Sequence, residues 1–267
     1  MRRISLQPGV DLAREICAMT DSLHILFEDN HCIAAAKPAG LLTQGVPKSI
    51  PTLEAMVKAH LKKKHHKPGN VYLGVPHRLD RPVSGVVLFA RNSKAAQRLA
   101  AQFRDRQVTK IYWGVVEGPV QPNEGVWEDW LRKLPEEARA QKAEPHIEGA
   151  RLAVLHYQVL PWIVLRHGIS PRDSVEQLGT LVEFRPITGR MHQIRVQAAA
   201  RGHPLLGDWL YGSTQTFGPA AELQRDRIIA LHARSLTFLH PLRYEPITLT
   251  APLPASWRKM GIPLEAP

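Results

Sequence analysis

Strand-like segments dominate this chain, and most of them follow one another without a helix between them. Apolar runs rich in β-branched or aromatic residues occur at 25–45 (two strands and a turn), 85–91, 110–118, 150–160, 180–187, 231–241 and 247–254. Parallel sheets are built from βαβ units, in which strands and helices alternate regularly. The order of segments therefore predicts an α+β fold with a mixed, mostly antiparallel sheet flanked by helices and loops.

Three segments have the pattern of helices. Apolar residues at 52–67 fall on one helical face, and Pro68 and Gly69 end that segment. The segment 92–107 begins with Asn-Ser, a typical N-terminal cap, and also has one apolar face. A shorter helix is predicted at 189–202, ended by Gly202.

The domain organisation is that of one main unit. We expect a single domain over 25–267, preceded by an N-terminal extension over 1–24. Residues 119–150 are acidic, rich in proline and weakly periodic. They predict a protruding hairpin or an insertion within the domain.

Length and composition restrict the class of protein. A chain of 267 residues can bury a sizeable core, and no apolar run approaches the roughly 18 residues of a membrane span. The basic N-terminus lacks the apolar run of a signal peptide. Cys17 and Cys32 form no CxxC pair, which is typical of a protein of the reducing cytoplasm. We therefore expect a cytoplasmic monomer that does not enter a membrane.

Positive charge is concentrated in one fifth of the sequence. The formal net charge is +11. Between Lys58 and Lys110 thirteen Lys or Arg stand against two acidic residues, and 13 − 2 = +11, the excess of the whole chain. Because neutralised phosphates release condensed counterions, this segment indicates a polyanionic partner such as nucleic acid. A merely soluble basic surface is the alternative.

Several well-known sites have no counterpart in the sequence. No GxGxxG follows a strand and no GxxxxGK[ST] is present, so dinucleotide and P-loop sites lack support. The thirteen histidines include no HExxH and no Cys/His ligand spacing. We expect neither a cofactor nor a metal ion.

The stretch HRLDRPVSG at 77–85 places Asp80 between Arg78 and Arg81. A cation within about 4 to 6 Å of a carboxylate favours its ionised form, so Asp80 could act as nucleophile, base or electrostatic stabiliser. A glycosidase would also need a protonated carboxylic acid, and this motif contains no second carboxyl group. These nine residues alone favour the alternative, an aspartate that only fixes a loop by pairing with Arg78 or Arg81.

The chain resembles the RluA-like pseudouridine synthases. HRLDRPVSG is similar to the family's HRLDxxTSG signature. Further similar blocks, in the family's order, are EDNHCIAAAKPAGLL, KIYWGVV, RPITGRMHQIRVQAAARGHPLLGDWLYG and LHARSLTFLHP. The resemblance covers roughly residues 25–253 and implies the pseudouridine synthase fold with a central catalytic cleft.

The resemblance also implies roles for particular residues. Asp80 corresponds to the catalytic carboxylate, and Tyr112 to an aromatic ring that stacks on the target uracil and helps to remove its C5 proton. Arg195 corresponds to an arginine that pairs with that carboxylate, an interaction of about 4 kcal/mol at 4 Å and an effective dielectric of 20. Leu181 is a candidate for an apolar contact beneath the base.

The remaining positions of these blocks have supporting roles in this interpretation. We expect His77, Arg78 and Arg81 to hold the loop or to contact RNA phosphates, and His192 to be structural. Val83 and Met191 replace threonine or serine of the family pattern, so we expect changes in loop packing or substrate choice without loss of activity.

The implied activity is the isomerisation of uridine to pseudouridine in ribosomal or transfer RNA. Many relatives carry an N-terminal S4 domain, but too few residues precede Lys37 for one, so RNA recognition would fall on the catalytic domain. Two alternatives remain open from the sequence. They are a catalytically silent RNA-binding relative and a nucleoside or glycoside hydrolase.

Overall fold

A ten-stranded mixed sheet forms the centre of the molecule. The computed structural model describes residues 23–45, 50–166 and 176–258, together with residues 260 and 262. Its sheet has the strand order β1-β2-β3-β9-β4-β8-β7-β5-β6, with β10 paired to β9. All pairings are antiparallel except that of β3 with β9. The predicted α+β class with a mostly antiparallel sheet is confirmed.

The strands follow the predicted order along the chain. They are β1 (Ile25–Glu28), β2 (Cys32–Lys37), β3 (Ser84–Ala90), β4 (Thr109–Glu117), β5 (Glu124–Lys133), β6 (Ala140–Ala143), β7 (Arg151–Arg166), β8 (Glu176–Pro186), β9 (Leu231–Leu239) and β10 (Pro246–Thr250). The helices are α1 (Leu53–Lys64), α2 (Ser93–Arg104), α3 (Gln193–Ala199) and α4 (Ala255–Arg258).

Both long helices begin at side-chain caps. The Thr52 hydroxyl accepts a hydrogen bond from the Ala55 N–H, and the Asn92 carbonyl oxygen accepts one from the Ala95 N–H. Such caps typically contribute about 1 kcal/mol. The predicted helices at 52–67 and 92–107 are thus confirmed with shorter bounds, because their last residues form C-terminal turns.

The strands divide their side chains between two faces of the sheet. Tyr112 and Val116 of β4 lie on one face, and Trp113 and Val115 lie on the other. Helix α1 packs on the first face through its buried apolar residues, whereas α2 and α4 pack on the second. This alternation decides which side chains can reach a site on either face.

The parallel pairing of β3 with β9 joins the two halves of the sheet. Gly85, the last residue of HRLDRPVSG, lies directly opposite Ala233. Its φ is +124°, and a Cβ atom built on it would lie 2.3 Å from the Ala233 carbonyl oxygen. The signature therefore ends in glycine because β9 leaves no room for a side chain there.

The range 119–150 contributes two strands, β5 and β6, to the central sheet. β5 and β6 pair as an antiparallel hairpin, and β5 also pairs with β7 along eight residue pairs from Glu124 to Leu131. The predicted hairpin is present, but it extends the edge of the sheet and does not protrude from it. The predicted N-terminal extension over 1–24 lies outside the described residues except for its last two positions. In the described part of the chain, no helix is long and apolar enough to cross a membrane.

Candidate active site

A cleft of about 680 Å³ lies on the first face of the sheet, between the segment 76–83 and the segment 186–195. Asp80, Tyr112 and Arg195 all line it. Its volume is typical of a site for a small organic group the size of a nucleotide. The fold thus brings these three residues together in one cleft, although Asp80 and Arg195 are 115 positions apart in the sequence.

His77 attaches the segment 77–80 to the sheet. Its Nε2 accepts a hydrogen bond of 2.9 Å from the Leu88 N–H of β3, and its ring stacks on Phe103 at 4.5 Å. Burial, aided by the charge of Lys110, lowers the pKa of His77 to about 3. The ring is therefore neutral at pH 7 and holds the loop, which leaves Nε2 unable to bind a phosphate.

Lys37 and Arg81 fix the other end of this loop. The buried Lys37 ammonium donates hydrogen bonds to the carbonyl oxygens of Pro38, Leu41 and Arg81. The Arg81 guanidinium donates to the Gly40 carbonyl oxygen at 2.9 Å and to the Asp226 carboxylate at 2.8 Å. Arg81 does not line the cleft, so of its two predicted roles the structure favours loop support. Lys37 was not singled out from the sequence.

Arg195 connects Asp80 to a second carboxylate. Its Nη1 lies 3.3 Å from Asp80 Oδ2, while Nε and Nη2 donate to both oxygens of the buried Asp208 at 2.7 and 2.8 Å. Burial alone would lower the pKa of Arg195, but the hydrogen bonds and charge of Asp208, together with Asp80, raise it. The guanidinium is therefore permanently charged and held in one orientation.

Asp80 is the exposed member of this chain of charges. One third of its side chain is accessible, against 6% for Arg195 and 1% for Asp208. The backbone turns directly after it, where the Val83 N–H donates to the Asp80 carbonyl oxygen at 3.1 Å. The turn in HRLDRPVSG thus presents one carboxylate to the cleft while the cation that accompanies it remains buried.

His192 and Tyr211 complete the surroundings of the carboxylate. His192 Nε2 lies 3.5 Å from Asp80 Oδ2, and its Nδ1 lies 2.8 Å from the Tyr211 hydroxyl. Burial lowers the pKa of His192, with Asp80 opposing and Arg195 reinforcing the shift. The Tyr211 ring also lies 4.9 Å from Cζ of Arg195. Both side chains are therefore placed to orient the Asp80–Arg195 pair.

Tyr112 forms one wall of the cleft, together with Leu231 and Ile194. Burial and the Asp80 carboxylate raise the pKa of its phenol, so the ring is neutral at pH 7. A neutral aromatic ring beside a carboxylate suits the stacking of a planar base.

Leu181 does not reach the cleft. It is fully buried with Trp113 and Val115 on the second face of the sheet, and its neighbour Val182 faces the first. The predicted contact of Leu181 beneath a base is therefore wrong. In TLVEF, apolar residues occupy both alternating sets of positions, Leu181 in one and Val182 in the other, so the sequence does not say which set faces the cleft.

The two departures from the family pattern both line the cleft. Val83 is buried behind Asp80, and Met191 packs near Val196 and Leu131. Neither side chain stands between Asp80 and Arg195. Their predicted effect on packing or substrate choice stays a prediction.

The rim of the cleft is strongly basic. Six cationic side chains line it, namely Arg78, Arg104, Arg106, Lys110, Arg190 and Arg195. Within the described residues, Asp80 is the one carboxylate among the lining side chains, and Arg78 is exposed without a hydrogen-bonded or ionic partner. The cleft therefore combines one partly exposed carboxylate with surroundings that attract polyanions.

One group of potential metal ligands lies elsewhere. Donor atoms of Asp29, Cys32 and His240 lie within 4.8 Å of one another. His240 Nδ1 faces the backbone N–H groups of Leu242 and Arg243, while Nε2 lies 2.6 Å from Asp29 Oδ2. Burial and Asp29 raise the pKa of the Cys32 thiol to about 12. These groups form a hydrogen-bonded network that joins β2 to the end of β9.

Comparisons with known proteins agree with this geometry. Residues 31–200 match the model of the family described as RNA pseudouridylate synthase. The chain is 32% identical to the dual-specificity RNA pseudouridine synthase RluA of Haemophilus influenzae, over 86% of this chain and 92% of that protein. It is also 32% identical to the tRNA pseudouridine synthase C of the same organism, over 89% of this chain and 96% of that protein.

The fold also matches a solved structure. The human protein described as RNA pseudouridylate synthase domain containing 4 superposes with a TM-score of 0.70, over 93% of this chain and 98% of that chain. The two sequences are 23% identical. This likeness shows the shared fold and supports the architecture predicted from the motifs.

Proposed function

Because the chain belongs to the RNA pseudouridylate synthase family and is thus an isomerase that converts uridine in RNA to pseudouridine, we propose that Asp80 is its catalytic carboxylate. The observation that carries this proposal is the 3.3 Å contact between Asp80 and a guanidinium that is itself locked by Asp208. A carboxylate that is accessible yet firmly oriented is suited to act on a bound sugar.

The reaction needs a group that acts on the ribose without any redox change. The bond between N1 and C1′ breaks, the uracil turns in the pocket, and C5 is joined to C1′. C5 loses one proton and N1 gains one, so the reaction is an isomerisation. Asp80 either attacks the sugar or removes a proton from it. Arg195 keeps the carboxylate oriented in both routes, because its hydrogen bonds to Asp208 fix the plane of the guanidinium.

Tyr112 supplies the surface on which the base stacks in this proposal. The target uridine must leave its helical stack to enter the cleft, which costs a few kcal/mol. Stacking on an aromatic ring contributes about 1 to 3 kcal/mol per base. The neutral phenol favours stacking over proton removal, because a group that loses its proton only far above pH 7 is a poor base in its resting form.

Transfer or ribosomal RNA is the proposed substrate, and Arg78 contacts its phosphates. The cationic rim supports an RNA partner, since each phosphate that it neutralises releases counterions. We further propose that the enzyme works as a cytoplasmic monomer, because one chain supplies every side chain of the cleft described above. A map of pseudouridines in cellular RNA with and without this protein identifies the target.

Asp80→Asn tests the catalytic role. The wild-type protein and the variant are incubated with uridine-containing RNA, which is then digested to nucleosides and separated by chromatography. We expect pseudouridine from the wild type and none from Asp80→Asn, with RNA affinity within a fewfold because an amide keeps the shape of the side chain. Turnover by the variant would remove Asp80 from the chemistry.

The same assay separates the alternatives and carries its own control. Glu124→Gln makes the same carboxylate-to-amide change at an exposed position of β5 and should leave product formation unchanged. A silent RNA-binding relative would return unchanged uridine. A hydrolase would release free uracil, and it would need a second carboxyl group in the cleft.

A further inference from the structure

We propose that Arg106, Lys110 and Arg190 form a phosphate-binding subsite at the cleft, which holds the RNA phosphodiester next to the nucleotide that enters it. The inference rests on the proposed function, because it assumes that the cleft receives a nucleotide of RNA. The positive net charge of the chain does not by itself specify which side chains contact this phosphate. Three observations carry it.

The first observation is the convergence of three like charges. Arg106 follows α2, Lys110 lies on β4 and Arg190 lies in the turn before α3, and all three line the cleft. Burial is the largest cause that lowers the pKa of Lys110 and of Arg190, and the positive charge of Arg106 lowers both further. No carboxylate other than Asp80 lines the cleft in the described parts of the chain. Such a cluster is favourable only when an anion joins it.

The second observation concerns the hydrogen bonds of Lys110. Its ammonium is partly buried and carries three donors. The described residues offer Nζ one acceptor, the Thr188 carbonyl oxygen, at the long distance of 3.4 Å. A partly buried ammonium with unfilled donors is unfavourable, and the oxygens of a phosphate would fill them. Arg190 is similar, since its Nε donates to the Leu152 carbonyl oxygen and its terminal nitrogens have no anionic partner there.

The third observation is the backbone of Arg106. Helix α2 ends in a Schellman motif, in which the Gln107 N–H donates to the Gln102 carbonyl oxygen and the Arg106 N–H to that of Phe103. Arg106 occupies the position where glycine is preferred, with φ at +59°. A residue held in the left-handed region against its preference indicates a function for its side chain. Here that side chain is exposed and lines the cleft.

A phosphodiester is the anion that fits these groups. Arg106 and Arg190 can each present a planar fork of donors to phosphate oxygens, and Lys110 adds a compact charge between α2 and the segment 186–190. The site shares one cleft with Asp80 and Tyr112, so a base held there brings its own backbone phosphates to the rim. Contacts of this kind position RNA without reading its sequence.

Substitutions of Arg106 test the subsite because charge and backbone strain can be changed separately. Arg106→Ala removes the charge and keeps the strain, Arg106→Gly removes both, and Arg106→Lys keeps the charge. Binding of a fluorescent single-stranded oligouridylate is measured over a series of KCl concentrations, and thermal unfolding is followed in parallel. The slope of log K against log[salt] is negative, and we expect the Ala and Gly variants to make it shallower by about 0.7. This is the value for one phosphate contact with a single strand.

The stability readout distinguishes a binding role from a structural one. Arg106→Gly should unfold at a higher temperature than Arg106→Ala, because glycine relieves the left-handed strain. His66→Gly is the backbone control, since His66 occupies the same position after α1 with φ at +48°. Arg258→Ala removes one charge from α4 on the second face and should keep the wild-type slope.

The outcomes separate this proposal from the catalytic one. A wild-type salt slope in both Arg106→Ala and Arg106→Gly overturns the phosphate subsite, and would show that the arginine only serves the end of α2. That result would leave the loss of product in Asp80→Asn untouched. Conversely, turnover by Asp80→Asn would overturn the catalytic role while a reduced slope in the Arg106 variants would still show the phosphate contact.

Discussion

Lys110 is a single residue whose charge depends on what the cleft contains. Burial and the neighbouring Arg106 lower its pKa to about 8. A phosphate bound at the rim favours the ammonium form and would raise that pKa again. The free energy of RNA binding is therefore linked to the uptake of a proton near the upper end of the physiological range.

We predict that RNA affinity falls as the pH rises from 7 to 8.5. The free protein loses the Lys110 proton in this range, so RNA binding must be accompanied by the uptake of a proton. For a pKa of about 8, this proton uptake weakens the observed RNA affinity by up to about fourfold. Lys110→Arg should bind with little dependence on pH, because a guanidinium stays charged. The measurement is a titration of labelled oligouridylate at constant ionic strength.

Other titratable groups near Lys110 do not produce this difference. Burial holds the pKa of His77 at about 3 and lowers that of His192, and guanidinium groups do not titrate in this pH range. Burial lowers the pKa of Lys37 to about 7, but Lys37 is present in both proteins and cancels in the comparison. Equal pH profiles for the wild type and Lys110→Arg would contradict the prediction.

At the scale of secondary-structure elements, the parallel pairing of β3 with β9 depends on one glycine. Gly85→Ala would place a Cβ atom 2.3 Å from the Ala233 carbonyl oxygen and 2.5 Å from its nitrogen, at a φ of +124°. We predict a loss of about 3 kcal/mol or more in the free energy of unfolding, from overpacking and from backbone strain. Urea denaturation measures it.

Gly69→Ala is the matched control for this prediction. A Cβ atom at Gly69 would meet nothing within 4 Å. The free energy of unfolding of the Gly69→Ala protein should therefore differ from that of the wild type by less than about 0.5 kcal/mol. Equal stability of the two variants would show that β9 moves freely away from β3. The loop that carries Asp80 leads directly into β3, so loss of the pairing should also reduce product formation.

Most elements could be predicted from the sequence because their periodicity is local. The strands and the three predicted helices are in place, since apolar spacing and caps decide them within a few residues. The face of each strand depends on its register against neighbours that are distant in sequence. That is why the strand of Leu181 was predicted correctly and its orientation was not.

The candidate site was predictable where a motif carried it. The three residues Asp80, Tyr112 and Arg195 line one cleft, as the resemblance implied. Asp208 was missed although it lies in one of the family-like blocks, because nothing local indicates that an acid in a turn-rich loop is buried against an arginine 13 positions earlier. Such a partner becomes visible only when the chain folds back on itself.

At the scale of the whole molecule, the basic surface consists of parts with different surroundings. Among the described residues, Asp80 is the one carboxylate that lines the cleft, and Arg104 of its rim pairs with Asp105. The run Lys62, Lys63 and Lys64 instead ends a helix that lies beside Glu28. That carboxylate accepts hydrogen bonds from Lys64 and His65 and lies 3.2 Å from Arg91. Burial raises the pKa of Glu28, but the hydrogen bonds of Lys64, His65 and His60 outweigh it and lower this pKa to about 2. Part of the charge of α1 is thus neutralised within the protein.

Replacement of Lys62, Lys63 and Lys64 by Ala tests whether α1 lies on the path of the RNA. Helix α1 packs on the same face of the sheet as the cleft, so we predict a smaller salt slope of RNA binding. The reduction should be smaller than the value for three phosphate contacts. Lys64 lies 2.8 Å from Glu28, and this ion pair weakens its attraction for a phosphate. Arg258→Ala is the control, since this exposed residue lies on α4, which packs on the opposite face. An unchanged slope in the triple variant, beside a reduced one in Arg106→Ala, would confine RNA to the cleft rim and leave α1 outside its path.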